Sequence, residues 1–172
     1  MEQETQEYNP SEYIGLRGGI EVMLKNALTG EVIQHTKSKN VVLYIGRNML
    51  MTRALVSNSQ TSNLQPTIYI GGGNAATQYT HTGLTTYRTY KTATTAQTTG
   101  GDGSAQPIAN WIASWESTEL NNTMFNTIYE FMLQFGTSST KTDGIAFCRY
   151  LSGSAINATT SNQLLVTYTV SF

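Results

Sequence analysis

The last nine residues constrain the fold more than any other feature. Leu164, Val166, Tyr168, Val170 and Phe172 alternate with Leu165, Thr167, Thr169 and Ser171. Period-2 alternation belongs to a strand with one face in a core. This strand carries no Lys, Pro or acid, so at a bare sheet edge it would template aggregation. It is therefore expected to be central in its sheet or covered by another subunit. A chain of 172 residues suits one such domain. Its 27 Thr and 10 Tyr, beside Val and Ile, favour pleated sheet over helix.

Upstream segments repeat the signal. Ile20, Val22 and Leu24 alternate with Glu21, Met23 and Lys25, and Asn26-Ala27-Leu28-Thr29-Gly30 supplies a turn before a return strand at 31–36. A short strand covers 67–70, part of 84–95 is strand, and 145–151 is another. Residues 108–119 are ambiguous: Ala109, Trp111, Ala113 and Trp115 alternate, yet the two tryptophans also sit four apart. Along 124–135 both alternating faces carry apolar groups, which predicts a strand held between two layers. Residues 40–56 differ. Val42, Ile45, Met49, Thr52 and Val56 recur at helical spacing, and Asn40 is placed to cap the start. The expected architecture is mainly β, an antiparallel, jelly-roll-like β-sandwich of about eight strands spanning 16–172, with one helix inserted after the first hairpin. A closed barrel is the alternative. Residues 1–15, acidic and containing Pro10, read as a flexible N-terminal arm.

Composition excludes several classes. Charge is 12 % and the net charge is -1, which argues against a nucleic-acid partner, since those binders need a basic footprint. No apolar run approaches the ~20 residues of a membrane span, so no membrane partner is expected. The opening MEQETQEYNP lacks the basic start and apolar core of a secretory signal. One Cys excludes an internal disulfide framework.

Chemistry-bearing residues are few. His35 falls in the first hairpin and His81 in a Thr-rich loop, neither beside a nucleophile and an orienting acid. Gly71-Gly72-Gly73 follows a strand, but no Gly-Lys-Ser/Thr follows it, so it reads as a tight turn and not a phosphate loop. Asp102 is the one carboxylate in its Gly-rich loop, too few for a Ca²⁺ site. Cys148, without partner Cys or His residues, reads as a buried small side chain. Glu116 and Glu130 could form a glycosidase pair only if they faced each other across a cleft. Glu130, inside an apolar strand, reads instead as a buried ion-pair partner for Arg149 or Arg53. No enzyme, metal or cofactor is expected. The contact candidates are Glu4 and Glu7 in the arm, Tyr79, Tyr87 and Tyr90 in the Thr/Tyr-rich stretch 77–107, and Trp111 and Trp115.

The order of short motifs carries a resemblance. A hairpin ends in Thr29-Gly30, and Lys39-Asn40-Val41-Val42 opens the next segment. Ile68-Tyr69-Ile70 then runs into the Gly turn, and Thr82-Gly83-Leu84 follows. Ile128-Tyr129-Glu130-Phe131 brackets an acid, and the chain closes on Leu-Val-Thr-Tyr-Thr-Val-Ser-Phe. Over residues 20–172 this resembles small β-rich virion structural proteins of tailed bacteriophages. Phe131-Met132-Leu133-Gln134-Phe135 departs from the Gly-Leu-Phe step of that pattern. The resemblance implies a virion location and a homo-oligomer acting by assembly at head, neck or tail. It also implies contacts with portal, capsid, tail or fibre components, and no catalytic residues. The alternative is a glycan- or receptor-binding module of a fibre or spike, with Trp111 and Trp115 stacking on sugars.

Overall fold

The computed structural model describes residues 16–52, 64–99, 108–120, 125, 127–136 and 144–171. The expected arm, Arg53 and the Asp102 loop lie outside them. The fold is mainly β, with antiparallel pairing throughout. Among the described residues nine strands run in chain order: β1 (Arg17–Asn26), β2 (Val32–Val42), β3 (Gln65–Gly71), β4 (Tyr87–Thr92), β5 (Thr94–Thr99), β6 (Ile108–Trp115), β7 (Ile128–Gly136), β8 (Gly144–Ile156) and β9 (Asn162–Ser171). The helix α1 (Tyr44–Met51) follows β2.

The strand order is β4-β3-β7-β8-β2-β1-β9-β6-β5. The sheet folds over on β2. Val32–Asn40 pair with β1, and only Val41 and Val42 continue across to Arg149 and Cys148 of β8. The two halves then face each other and bury one core, with Ile20, Val22, Leu164, Val166 and Tyr168 from one half and Ile68, Ile70, Phe131, Leu133 and Tyr150 from the other. The terminal strands β4 and β5 are joined through Ala93 alone, whose N–H donates to the Pro66 carbonyl at 2.8 Å. That corner brings the sheet close to a barrel.

The first hairpin forms as expected, and Gly30 takes φ 72° at its turn, a left-handed conformation open to Gly at no steric cost. The C-terminal strand is central, paired with β1 on one side and β6 on the other. Residues 108–115 are strand, which settles the ambiguity of Trp111 and Trp115. The stretch 84–95 divides into β4 and the start of β5.

The helix expected over 40–56 needs correction. Asn40 to Val42 extend β2, and α1 begins only at Tyr44, with Leu43 at its cap and no side-chain cap. Helical spacing of apolar residues there was outweighed by ladder pairing to β1 and β8, a tertiary term that periodicity does not report. Gly46 fits α1 against β8: a Cβ there would lie 2.7 Å from both the Cα and the O of Phe147. The Phe147 carbonyl is held in place by the Leu43 N–H, which donates to it at 2.9 Å. Gly46→Ala is therefore expected to lower stability by about 1–3 kcal/mol, read as a lower urea midpoint with an unchanged m-value.

Candidate functional site

Glu130 and Arg149 sit on neighbouring strands, β7 and β8, and their side chains point to the outer face of that half of the sheet. Met132 pairs with Arg149 in register, and Glu130 with Leu151. Strand alternation sends Phe131 and Leu133 inward to the core and Glu130 and Met132 outward. That outer face is nonetheless dry. Leu84 and Tyr87 pack over Met132, Tyr69, Leu43 and Ala146, and the segment 72–86 roofs the charged pair. The strand is thus held between two layers, as its sequence predicts.

The pair closes at 2.7 Å between Arg149 Nη2 and Glu130 Oε2, with both side chains 0 % exposed. All four acceptor positions of the carboxylate are occupied. Oε1 accepts from the N–H of Gly73 (3.0 Å) and of Thr86 (2.6 Å). Oε2 accepts from the N–H of Thr85 (2.8 Å) and from Arg149. The guanidinium also donates through Nη2 to Thr85 Oγ1 (3.0 Å) and to the Ala75 carbonyl (3.2 Å). Through Nη1 it donates to His81 Nδ1 (2.7 Å) and Thr77 Oγ1 (3.3 Å). Arginine has only donors, so His81 Nδ1 accepts and its ring proton resides on Nε2.

This explains the glycine run. Gly73 presents its N–H to Glu130, and a Cβ there would fall 2.6 Å from Oε1 and 2.7 Å from Thr85 Cβ. A Cβ on Gly71 would meet the same oxygen and the Thr86 carbonyl. The glycines let the roof descend onto the buried carboxylate. The tight turn expected here is instead the end of β3 at Gly71 and an irregular continuation in which the Gly72 N–H donates to the Thr86 carbonyl at 2.9 Å, and the partner of Glu130 is Arg149.

Burial alone would raise the Glu130 pKa. The hydrogen bond from Arg149 and those from the Thr86, Thr85 and Gly73 N–H groups outweigh it, and the net shift is downward. Its folded pKa thus lies below the unfolded one. The stability it contributes is complete above the unfolded value of about 4.3 and is lost as pH falls through the folded value. Glu116, held down by hydrogen bonds from Gln163 and Ser114, and Glu119, held down by Lys91, shift the same way. Both lie at the surface, where such pairs contribute little. A urea-midpoint series is expected to be flat above pH 5 and to fall steeply below about pH 4. The Glu130→Gln variant should lose most of that fall; an unchanged acid slope would assign it elsewhere.

The other expected residues are dispersed. Trp115 is 2 % exposed, within the core. Trp111 is partly buried and packs edge-on against Phe135 at 5.2 Å and 80°. Buried Trp115 presents no ring at the surface, whereas Trp111 keeps partial exposure. Alternation along β6 turns both toward the facing layer. Tyr87 is half-buried and contacts Tyr69 at 6.0 Å, while Tyr90 is exposed and contacts it at 5.4 Å. Tyr79 is exposed and stacks on Tyr44 at 5.6 Å and 27°. Arg47 lies 5.1 Å from the Tyr79 ring centroid and 5.7 Å from that of Tyr44. Glu4 and Glu7 lie outside the described residues. Glu116 is exposed, in different surroundings from buried Glu130. His35 is exposed and pairs with Glu21 at 2.7 Å. Cys148 is buried, and burial pushes its thiol pKa well up, away from reactive thiolate character.

Sequence reasoning missed His81, Thr77 and Thr85 as partners of Arg149. Their only signal was membership of the polar stretch beside Glu130's glycines, and nothing local reports a contact 64 to 72 residues away. Comparison with protein-family models, curated proteins and solved structures returns no match for this chain.

Proposed function

We propose that this chain is a structural subunit that self-associates into a symmetric multimer, in a tailed-phage virion at head, neck or tail. The observation that carries the assembly reading is the β1–β2 hairpin. From Val32 to Asn40, β2 has a strand partner on one side only among the described residues. At its tip Leu28 is 95 % exposed and Ile33 55 %, with Val32 exposed beside them. An open edge ending in a bare apolar tip is the geometry by which a neighbour adds a strand or covers a patch. The chemistry of the Glu130 site agrees with a static role, because its carboxylate has no exposure and no vacant acceptor position. The phage class rests on the resemblance in the sequence.

Native mass spectrometry over a range of concentrations tests the reading. A discrete closed oligomer is expected, and a strict monomer throughout would overturn self-association. The double variant Leu28→Glu, Ile33→Glu should shift the oligomer to monomer. Its melting temperature should scarcely change, since exposed substitutions alter stability by only about 0.5 kcal/mol.

A further inference from the structure

Arg47 is 6 % exposed, and its Nε and Nη1 have no hydrogen-bond acceptor among the described residues. It forms no ion pair among them either; its contacts are the faces of Tyr44 and Tyr79. A buried cation with two of its three guanidinium nitrogens unpaired among the described residues is incompletely compensated. Around it lies an exposed apolar face. Tyr44, Arg47 and Met51 follow i, i+3, i+7 spacing on α1 and share one side of it, and Tyr44, Met51 and Tyr79 are exposed. This surface asks for an occupant that brings a carboxylate and aromatic or apolar groups together.

The chain's charge is distributed to match. Residues 1–15 hold Glu2, Glu4, Glu7 and Glu12 and no Lys or Arg, while the rest of the chain carries ten bases against seven acids. The same segment holds Tyr8, Tyr13 and Ile14. It also starts from the right place. It leaves β1 at Arg17, and the next residue, Gly18, pairs with Asn40, four residues before α1 begins. One strand spacing is about 5 Å, and four residues add at most about 14 Å. The stretch from Glu7 to Leu16 reaches about 30 Å when extended.

We propose that the acidic N-terminal segment of the same chain, residues 1–15, docks on the Tyr44–Met51–Tyr79 face and sets a carboxylate against Arg47. Tethering favours the chain's own segment over a neighbour's, because a short linker holds it at an effective concentration on the order of millimolar. The docking does not depend on the assembly reading; a monomer tests it as well as an oligomer.

The test uses the full chain. Hydroxyl-radical labelling is compared between the native sequence and a variant with Glu2, Glu4, Glu7 and Glu12 all changed to Gln. Labelling of Tyr44, Tyr79 and Met51 is expected to rise about fivefold, the change given by losing one ion pair at the upper end of the surface range. Leu28 and Tyr90 serve as internal references and should not change. Equal labelling of the α1 face in the two proteins would overturn the proposal. A second measurement fixes the source of the segment. Met51→Cys is combined in turn with Glu4→Cys, Glu7→Cys or Glu12→Cys, and each full chain is oxidised at low concentration. At least one pair should close within a single chain. A bond in none of the three, or bonds only between chains, would refute docking by the chain's own segment.

Discussion

Glu130→Ala is expected to cost at least about 4 kcal/mol, in the range for removing one partner of a buried ion pair. The cost falls on the groups left behind. Arg149 keeps its full charge with 0 % exposure and loses its only anionic partner among the described residues. The N–H groups of Gly73, Thr85 and Thr86 lose their shared acceptor in the same step, and each orphaned buried donor carries a penalty of about 1–3 kcal/mol. These terms do not simply add, because water can enter once the roof lifts. Even the lower figure is a large fraction of a net stability of about 5–15 kcal/mol. Chemical denaturation should therefore show a midpoint near the start of the titration, or no folded baseline. Because that variant could fail to fold, the double variant Glu130→Met, Arg149→Leu is the companion measurement. Replacing both charges by apolar groups of similar volume should recover most of the loss. Stability in the single variant within about 1 kcal/mol of the parent would show that the pair does not clamp the roof.

Deletion of residues 164–172 should abolish cooperative folding. The strand they form is hydrogen-bonded on both sides, to β1 and to β6, so its loss creates two new open edges inside the sheet. It also removes Leu164, Val166, Tyr168 and Val170, all buried in the core. At about 1.5–3 kcal/mol for each large apolar side chain, that loss is of the same order as the whole net stability. The truncated chain is expected in the insoluble fraction, or in solution without a near-UV circular dichroism signal. A soluble product with a sharp thermal transition would mean that β9 is dispensable.

What was legible in the sequence follows from how local each signal is. The alternation in 164–171 reports a face, and a chargeless face of that length can rest only where neighbours cover it; the structure puts it at the centre of one half of the sheet. Glu130 was legible for the same reason. A carboxylate between Tyr129 and Phe131 must be either exposed or paired, and the apolar run on both sides leaves pairing. Residues 40–42 were misread because helical spacing and strand pairing make opposite demands on the same residues, and the deciding contacts, Val41 to Arg149 and Val42 to Cys148, come from more than a hundred residues away. Trp111 and Trp115 carried two periods at once. Pairing with β9 and β5 decides that the strand period holds, and it turns Trp111 toward Phe135 in the facing layer.

The sequence by itself determined that this chain is a β protein, where most of its strands lie, and that Glu130 needs a basic partner. Those properties depend on the polarity of residues two positions apart and on the cost of burying a lone charge. Only the tertiary structure decided that the sheet folds over on β2, that Arg149 is the partner, and that Gly71, Gly73, Thr85 and His81 close around the pair. These are meetings between residues far apart in the chain. Their energy is realised only when the segment 72–86 is laid across the outer face of β7 and β8.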